Sequence, residues 1–184
     1  MKVTLIEPAM IKNKDFSEKP SWQLTPLTLA TLAGLTPPDV EVEAVDDRIE
    51  EINYDTPRDL VGISVKTFTA RRAYQIADEF RNRGVPVILG GHHPTLLPEE
   101  ALQYADSILV GEAEGVWPEV MQDAERGQLK KVYRQPHTLP FEGVRVNRSI
   151  FAGKKYLPVG MVETTRGCPF SCNFCSVRAM SGVV

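Results

Sequence analysis

Leu60-Val61-Gly62-Ile63-Ser64-Val65-Lys66-Thr67-Phe68-Thr69, then Ala70–Arg83, then Val85-Pro86-Val87-Ile88-Leu89-Gly90-Gly91, is the stretch whose reading decides the fold. Leu60–Val65 is near-continuous in Val, Ile and Leu, as expected of a strand covered on both faces. Ala70, Ala73, Tyr74, Ala77 and Phe80 then recur on one face of a helix, with Thr69 as its N-cap and Gly84 as its stop. Val85–Leu89 is a second buried strand. Strand, helix and strand in this order make a parallel crossover unit, because parallel neighbours need a long connection.

The same rhythm extends outward. Val3–Glu7, Val40–Val45 and Ser107–Val110 complete a set of five strands, all short and rich in Val, Ile and Leu. Pro26–Gly34 reads as a helix capped by Thr25, with Leu27, Leu29 and Leu32 turned inward. Pro98–Tyr104 opens on proline and two glutamates, and Glu114–Arg126 places Val116, Trp117, Val120, Met121 and Ala124 on one side. Asp47–Ile52 is read as a short helical turn. Residues 1–127 therefore form an α/β domain with a five-stranded parallel sheet. The rhythm breaks over 128–158, read as an irregular linker around Gln135–Phe141 and Gly143–Asn147. Val159–Thr165 reads as a fresh strand, the opening of a second unit at 159–184.

Composition narrows the class. The chain has 184 residues, 42% hydrophobic and 24% charged, with a net charge of −3. That is the profile of a globular protein with a real core, and it gives no reason to expect nucleic acid or an anionic membrane as partner. No apolar run reaches bilayer-spanning length, and Met1–Pro8 lacks the features of a signal peptide. A cytoplasmic setting is expected.

All three cysteines fall in Cys168-Pro169-Phe170-Ser171-Cys172-Asn173-Phe174-Cys175, spaced C-x3-C-x2-C. With no export signal, such a cluster points to a metal site and not to disulfides. Structural zinc wants four ligands, and His92, His93 and His137 are distant in sequence. A redox C-x-x-C at Cys172 and Cys175 leaves Cys168 idle. Three thiolates suit a soft metal centre with one position left open.

Glu163-Thr164-Thr165-Arg166-Gly167 followed by this loop resembles the cluster-binding strand and loop of the radical S-adenosylmethionine (radical SAM) enzymes. The resemblance implies a 4Fe-4S cluster on Cys168, Cys172 and Cys175, with S-adenosylmethionine chelating the fourth iron. An electron donor reduces the cluster, and a 5′-deoxyadenosyl radical results. Phe174 sits where that family keeps an aromatic against the adenine; packing in a core is the equal alternative.

In the first domain, ligands are expected at the carboxyl ends of the strands. The loops there offer Ser64, Lys66 and Thr67, then Gly90, Gly91 and His93, then Gly111 and Glu112. Their small residues allow close approach of a large flat ligand. Gly90-Gly91-His92-His93-Pro94-Thr95, Pro98-Glu99-Glu100 and Gly111-Glu112-Ala113-Glu114-Gly115, taken with the cysteine loop, resemble the B12-binding subclass of radical SAM enzymes. This implies a Rossmann-like, flavodoxin-like domain with helices on both faces of its sheet, holding cobalamin at its strand ends. Glu7-Pro8-Ala9-Met10-Ile11-Lys12 departs from the D-x-H-x-x-G pattern found after the first strand of some cobalamin domains, so no histidine from that loop reaches the cobalt.

Adjacent histidines in an extended turn point apart, so His92 and His93 are not read as a metal pair. His93 is expected to bond loop backbone or ligand. Asp46 and Asp47 are read as capping the next turn; Glu112 and Glu114 as capping the last helix and contacting the linker. No acid/base carboxylate pair is evident, so no catalytic residue is assigned. The resemblance implies part of a radical SAM enzyme, most often a methyltransferase, with cyclases and ring-rearranging enzymes also in the family. Further barrel strands for S-adenosylmethionine are expected outside these residues, so the chain alone is not expected to cleave it. The alternative is a non-catalytic module binding cobalamin or another tetrapyrrole, or a vestigial Rossmann-like module.

Overall fold

Six parallel strands form one sheet in a computed structural model that describes residues 1–10, 23–135 and 144–181. They are β1 (Lys2–Glu7), β2 (Glu41–Asp46), β3 (Leu60–Ser64), β4 (Val87–Gly90), β5 (Ser107–Val110) and β6 (Val132–Arg134), in the order β2-β1-β3-β4-β5-β6. The helices are α1 (Leu27–Leu35), α2 (Ala70–Arg81), α3 (His92–Leu96), α4 (Pro98–Ala101), α5 (Trp117–Glu125) and α6 (Val177–Ser181). The strand order reverses between β1 and β3, which is the flavodoxin-like arrangement with its ligand crevice at that switch point.

Each sheet face is covered, as the near-continuous aliphatic strands require. On one face Ile6, Val61, Ile63, Val87, Leu89 and Ile108 pack against Ala73, Ile76, Ala77 and Phe80 of α2. On the other, Val3, Leu5, Leu60, Ile88 and Leu109 pack against Leu29 and Ala33 of α1 and Trp117, Val120 and Met121 of α5. Trp117 is 2% exposed, and its indole N–H donates to Thr36 Oγ1 at 2.9 Å, so its one polar atom is satisfied in the core.

The expected five-stranded sheet has a sixth strand, because β6 adds to the β5 edge from inside the stretch read as linker. Beyond it, residues 144–157 fold back onto the domain. Asn147 N–H donates to Ala30 O at 2.8 Å, Phe151 enters the second core, and Tyr156 donates to Asp46 Oδ2 at 3.0 Å. Gly34 permits this approach, since a Cβ there would lie 1.9 Å from Arg145 O. Gln135 belongs to this packing, whereas residues 136–143, including His137, lie outside the described residues.

Val159–Thr165, expected as a strand, has no regular secondary structure. Its Val and Thr content favours extension, but a strand exists only with a neighbour to accept its backbone bonds. Two helices also start elsewhere. The helix expected at Glu114–Arg126 is α5 and begins at Trp117, with Pro118 in its first turn, where the missing N–H of proline costs nothing. The first begins at Leu27 with no side-chain cap from Thr25, and its buried residues are Leu29, Ala30, Thr31 and Ala33. Asp47–Ile52 forms a turn without becoming a helix.

Candidate functional site at the carboxyl edge of the sheet

The carboxyl ends of β1, β3, β4 and β5 bring the first-domain candidates to one edge. Ser64 ends β3 and Gly90 ends β4, in register with each other. Lys66 and Thr67 follow β3, Gly91 and His93 follow β4, and Gly111 and Glu112 follow β5. The glycines divide into two kinds. Gly91 has φ 99°, and a Cβ there would meet Val65 O at 3.0 Å, so its role is to let two loops touch. Gly90 and Gly111 have room beside them, an added Cβ finding only Leu109 Cβ at 3.7 Å or Gln135 O at 3.9 Å, although Gly111, at φ 88°, also favours glycine through its backbone.

Thr95 ties the β4 and β5 loops together. Gly111 N–H donates to Thr95 Oγ1 at 2.9 Å, and Thr95 Oγ1 donates to Gly91 O at 2.8 Å. The G-G-x-H-P-T sequence, read as an extended turn, is instead the start of the short helix α3, which makes this bridge possible. His93 is 3% exposed within it. Its Nε2 lies 2.8 Å from Tyr74 Oη and 3.3 Å from Glu100 Oε1, so the ring braces α3 against α2 and α4. His93 N–H donates to Val65 O at 3.0 Å. His92 is exposed.

At the switch point itself sit Glu7, at the end of β1, and Lys66, which pairs with it. Glu7 is 3% exposed. Burial pushes its carboxyl above the ordinary value of 4.5, against the opposing pull of Lys66. Asp47 does not act as a simple cap: both its oxygens take Arg72 at 2.8 Å, and it accepts Ala9 N–H at 3.2 Å. Asp46 is held by Arg48 and by Tyr156, whose hydroxyl burial and Asp46 push upward. The loop after β1 is thus fastened at Ala9; residues 11–22, which begin with Ile11 and Lys12, lie outside the described residues.

The cysteine-bearing segment crosses to this same edge. Arg166 Nη2 is 2.5 Å from Glu114 Oε1 and Arg166 Nη1 is 3.4 Å from Glu112 Oε2, while Glu163 Oε2 is 3.0 Å from Nη2. Glu112 and Glu114 therefore meet the residue before Gly167 and Cys168, not the linker as expected. Farther along, α6 packs against α3. Cys168 is partly covered, Cys172 and Cys175 are exposed, and all three are free thiols. Cys175 N–H donates to Cys172 O at 3.1 Å. Among the described residues no three His, Cys, Asp or Glu side chains converge as a ligand set. The donor chemistry still fits an iron–sulfur cluster: three free thiols in one short loop. Phe174 is 93% exposed.

The open glycines, the part-exposed Ser64 and Lys66, and the switch-point position suit a large flat ligand. Comparison with known proteins names the type. Residues 29–121 match the family model described as the B12 binding domain. The chain belongs to the B12-binding domain family. The chain is 40% identical over 179 residues to bacteriochlorophyllide d C-8(2)-methyltransferase of Chlorobaculum tepidum, covering 91% of this chain and 38% of that protein. It is 34% identical to the C-12(1)-methyltransferase of the same organism, over 85% of this chain and 36% of that protein. It is 28% identical to the anaerobic magnesium-protoporphyrin IX monomethyl ester cyclase of Rubrivivax gelatinosus, over 71% of this chain and 29% of that protein. The chain thus spans about two fifths of the length of the two methyltransferases. No helix among the described residues is long and apolar enough to cross a membrane.

Two contributors carry little sequence signal. Arg166 lies inside the cysteine motif, and its one sequence cue is charge complementarity with the two glutamates of Gly111-Glu112-Ala113-Glu114-Gly115. Thr95 had no such signal; its role depends on α3 being a helix.

Proposed function

We propose that this chain is the cobalamin-binding domain and cluster loop of a radical SAM methyltransferase acting on an unactivated carbon at the periphery of a tetrapyrrole. The observation that carries the reading is the meeting of the cysteine segment with the glycine-lined carboxyl edge of a B12-binding domain, through Arg166 on Glu112 and Glu114. The names of the two bacteriochlorophyllide methyltransferases support the substrate class.

In this reading Cys168, Cys172 and Cys175 would hold a 4Fe-4S cluster, with Phe174 exposed beside them to take the adenine of S-adenosylmethionine. Ser64, Lys66, Thr67, Gly90, Gly91, Gly111 and Glu112 would form the cobalamin cradle, and His93 would hold α3 in place beneath it. When bound, these groups supply an electron, an adenosyl radical and a transferable methyl group. The protein residues bind and orient: the open glycines let backbone come close to a corrin, and no histidine follows β1 to ligate cobalt. The partners are small molecules, an electron donor and the remaining barrel strands, and the setting is cytoplasmic.

The test is anaerobic purification with absorbance spectra before and after hydroxocobalamin. Co-eluting corrin bands and near-stoichiometric iron and sulfide, the latter lost in Cys172→Ala, are the expected outcome. A chain that binds no corrin at high hydroxocobalamin concentration sinks the reading.

A further inference from the structure

Residues 159–168 contain no helix or strand, so their place is set by side-chain anchors. Arg148 Nη2 donates to Met161 O at 2.7 Å, and the strongest anchor follows at Arg166. Its side chain is 19% exposed, against 17% for Glu112 and 12% for Glu114. Glu112 and Glu114 come from the loop that follows Gly111, whereas Glu163 comes from the same segment as Arg166. Two of the three carboxylates therefore reach Arg166 across 54 and 52 residues of chain, counted from Arg166 to Glu112 and to Glu114. Two largely buried carboxylates, two positions apart on one loop, repel each other unless a cation sits between them. A planar guanidinium meets both and still reaches the third; a lysine ammonium is a point charge and does not.

We propose that Arg166 is a positioning residue whose grip on Glu112 and Glu114 holds the cluster loop against the cobalamin loop that follows β5. This rests on the reading that the chain holds both cofactors. Arg166 acts through Glu112 and Glu114, setting where Cys168, two residues on, stands relative to Gly111. The packing of α6 on α3 closes the same loop from its far side, so the three cysteines lie between two attachments to one sheet edge.

The grip can be tested without any cofactor. Trypsin must take Arg166 into its specificity pocket to cut at Gly167, and a guanidinium held by carboxylates resists this. In the chain carrying Glu112→Gln with Glu114→Gln, cleavage at Arg166 is expected to speed up about tenfold, since cutting tracks the open population. Cleavage at the exposed Arg126 is the internal control and should not change. Equal rates at Arg166 in the two proteins overturn the proposal.

A second readout addresses positioning. With cob(II)alamin and the reduced cluster both loaded, magnetic coupling between the two paramagnets should broaden the cobalt signal. Arg166→Ala should narrow that signal with iron content unchanged, and Arg166→Lys should restore part of the width. Undiminished broadening in Arg166→Ala overturns the positioning role. If the wild-type chain binds no corrin, the function proposed above fails, and the proteolysis result alone judges the grip.

Discussion

Glu7 and Lys66 show how one ion pair at the switch point carries a pH signature. Glu7 is buried on β1 and Lys66 reaches it from the loop after β3, its side chain 40% exposed. Desolvation raises the Glu7 carboxyl above 4.5, and Lys66 holds that rise in check. A carboxyl raised by folding favours the folded state at low pH, and that benefit is lost as pH climbs through the raised value. Lys66→Met removes the restraint, so the ionised Glu7 costs more in the variant. The loss should be about 1–3 kcal/mol at neutral pH, moderated by the partial exposure of Lys66. Below 4.5, where Glu7 is protonated in folded and unfolded chains alike, the loss should fade. Urea unfolding of both proteins at pH 7 and pH 4 checks this, and a loss independent of pH would refute it.

At the scale of elements, α3 is the piece on which the edge turns. Five residues long, it bridges the β4 and β5 loops through Thr95 and is braced from behind by His93, Tyr74 and Glu100. Thr95→Val keeps the shape and removes the hydroxyl, leaving Gly111 N–H without its acceptor. A destabilisation of about 1–2 kcal/mol is expected, along with weaker corrin binding. Thr95→Ser should retain both, as measured by thermal unfolding and by hydroxocobalamin titration. This element also marks the limit of what the sequence discloses. The strands β1 to β5 and α2 are legible because short runs rich in Val, Ile and Leu and a clean helical face leave few alternatives. The sixth strand was not: Val132-Tyr133-Arg134 buries only Tyr133, and nothing but β5 beside it makes it a strand. Val159–Thr165 misled in the opposite sense, with strand-forming residues and no neighbour. The site followed the same rule. Glycines and cysteines at fixed spacing announced themselves, while the grip of Arg166 on Glu112, 54 residues away, is a property of the folded chain.

For the whole molecule, we propose that the α/β unit extends past residue 127, because Tyr133 and Phe151 belong to its second core. Cutting after residue 127 would remove β6 and turn β5, with Ile108, Leu109 and Val110 all buried, into an open edge. Tyr133, 2% exposed, and Phe151, 7% exposed, would leave the second core. Each large side chain is worth about 2–3 kcal/mol of burial, so together they remove some 5 kcal/mol from a total that is commonly 5–15. Tyr133 also donates to Asp123 Oδ2 at 2.8 Å, and burial with that carboxylate pushes its hydroxyl up to about 12, so α5 loses a fastening as well. A fragment of residues 1–127 is therefore expected to aggregate or to unfold without a cooperative transition. A fragment of residues 1–157 keeps β6, Phe151 and the Tyr156–Asp46 bond, and should melt cooperatively near the temperature of the full chain. Gel filtration and circular dichroism melts of the two fragments decide the matter. Cooperative melting of the shorter fragment within a few degrees of the longer one would place the boundary at 127 and reduce β6 to an ornament on the sheet edge.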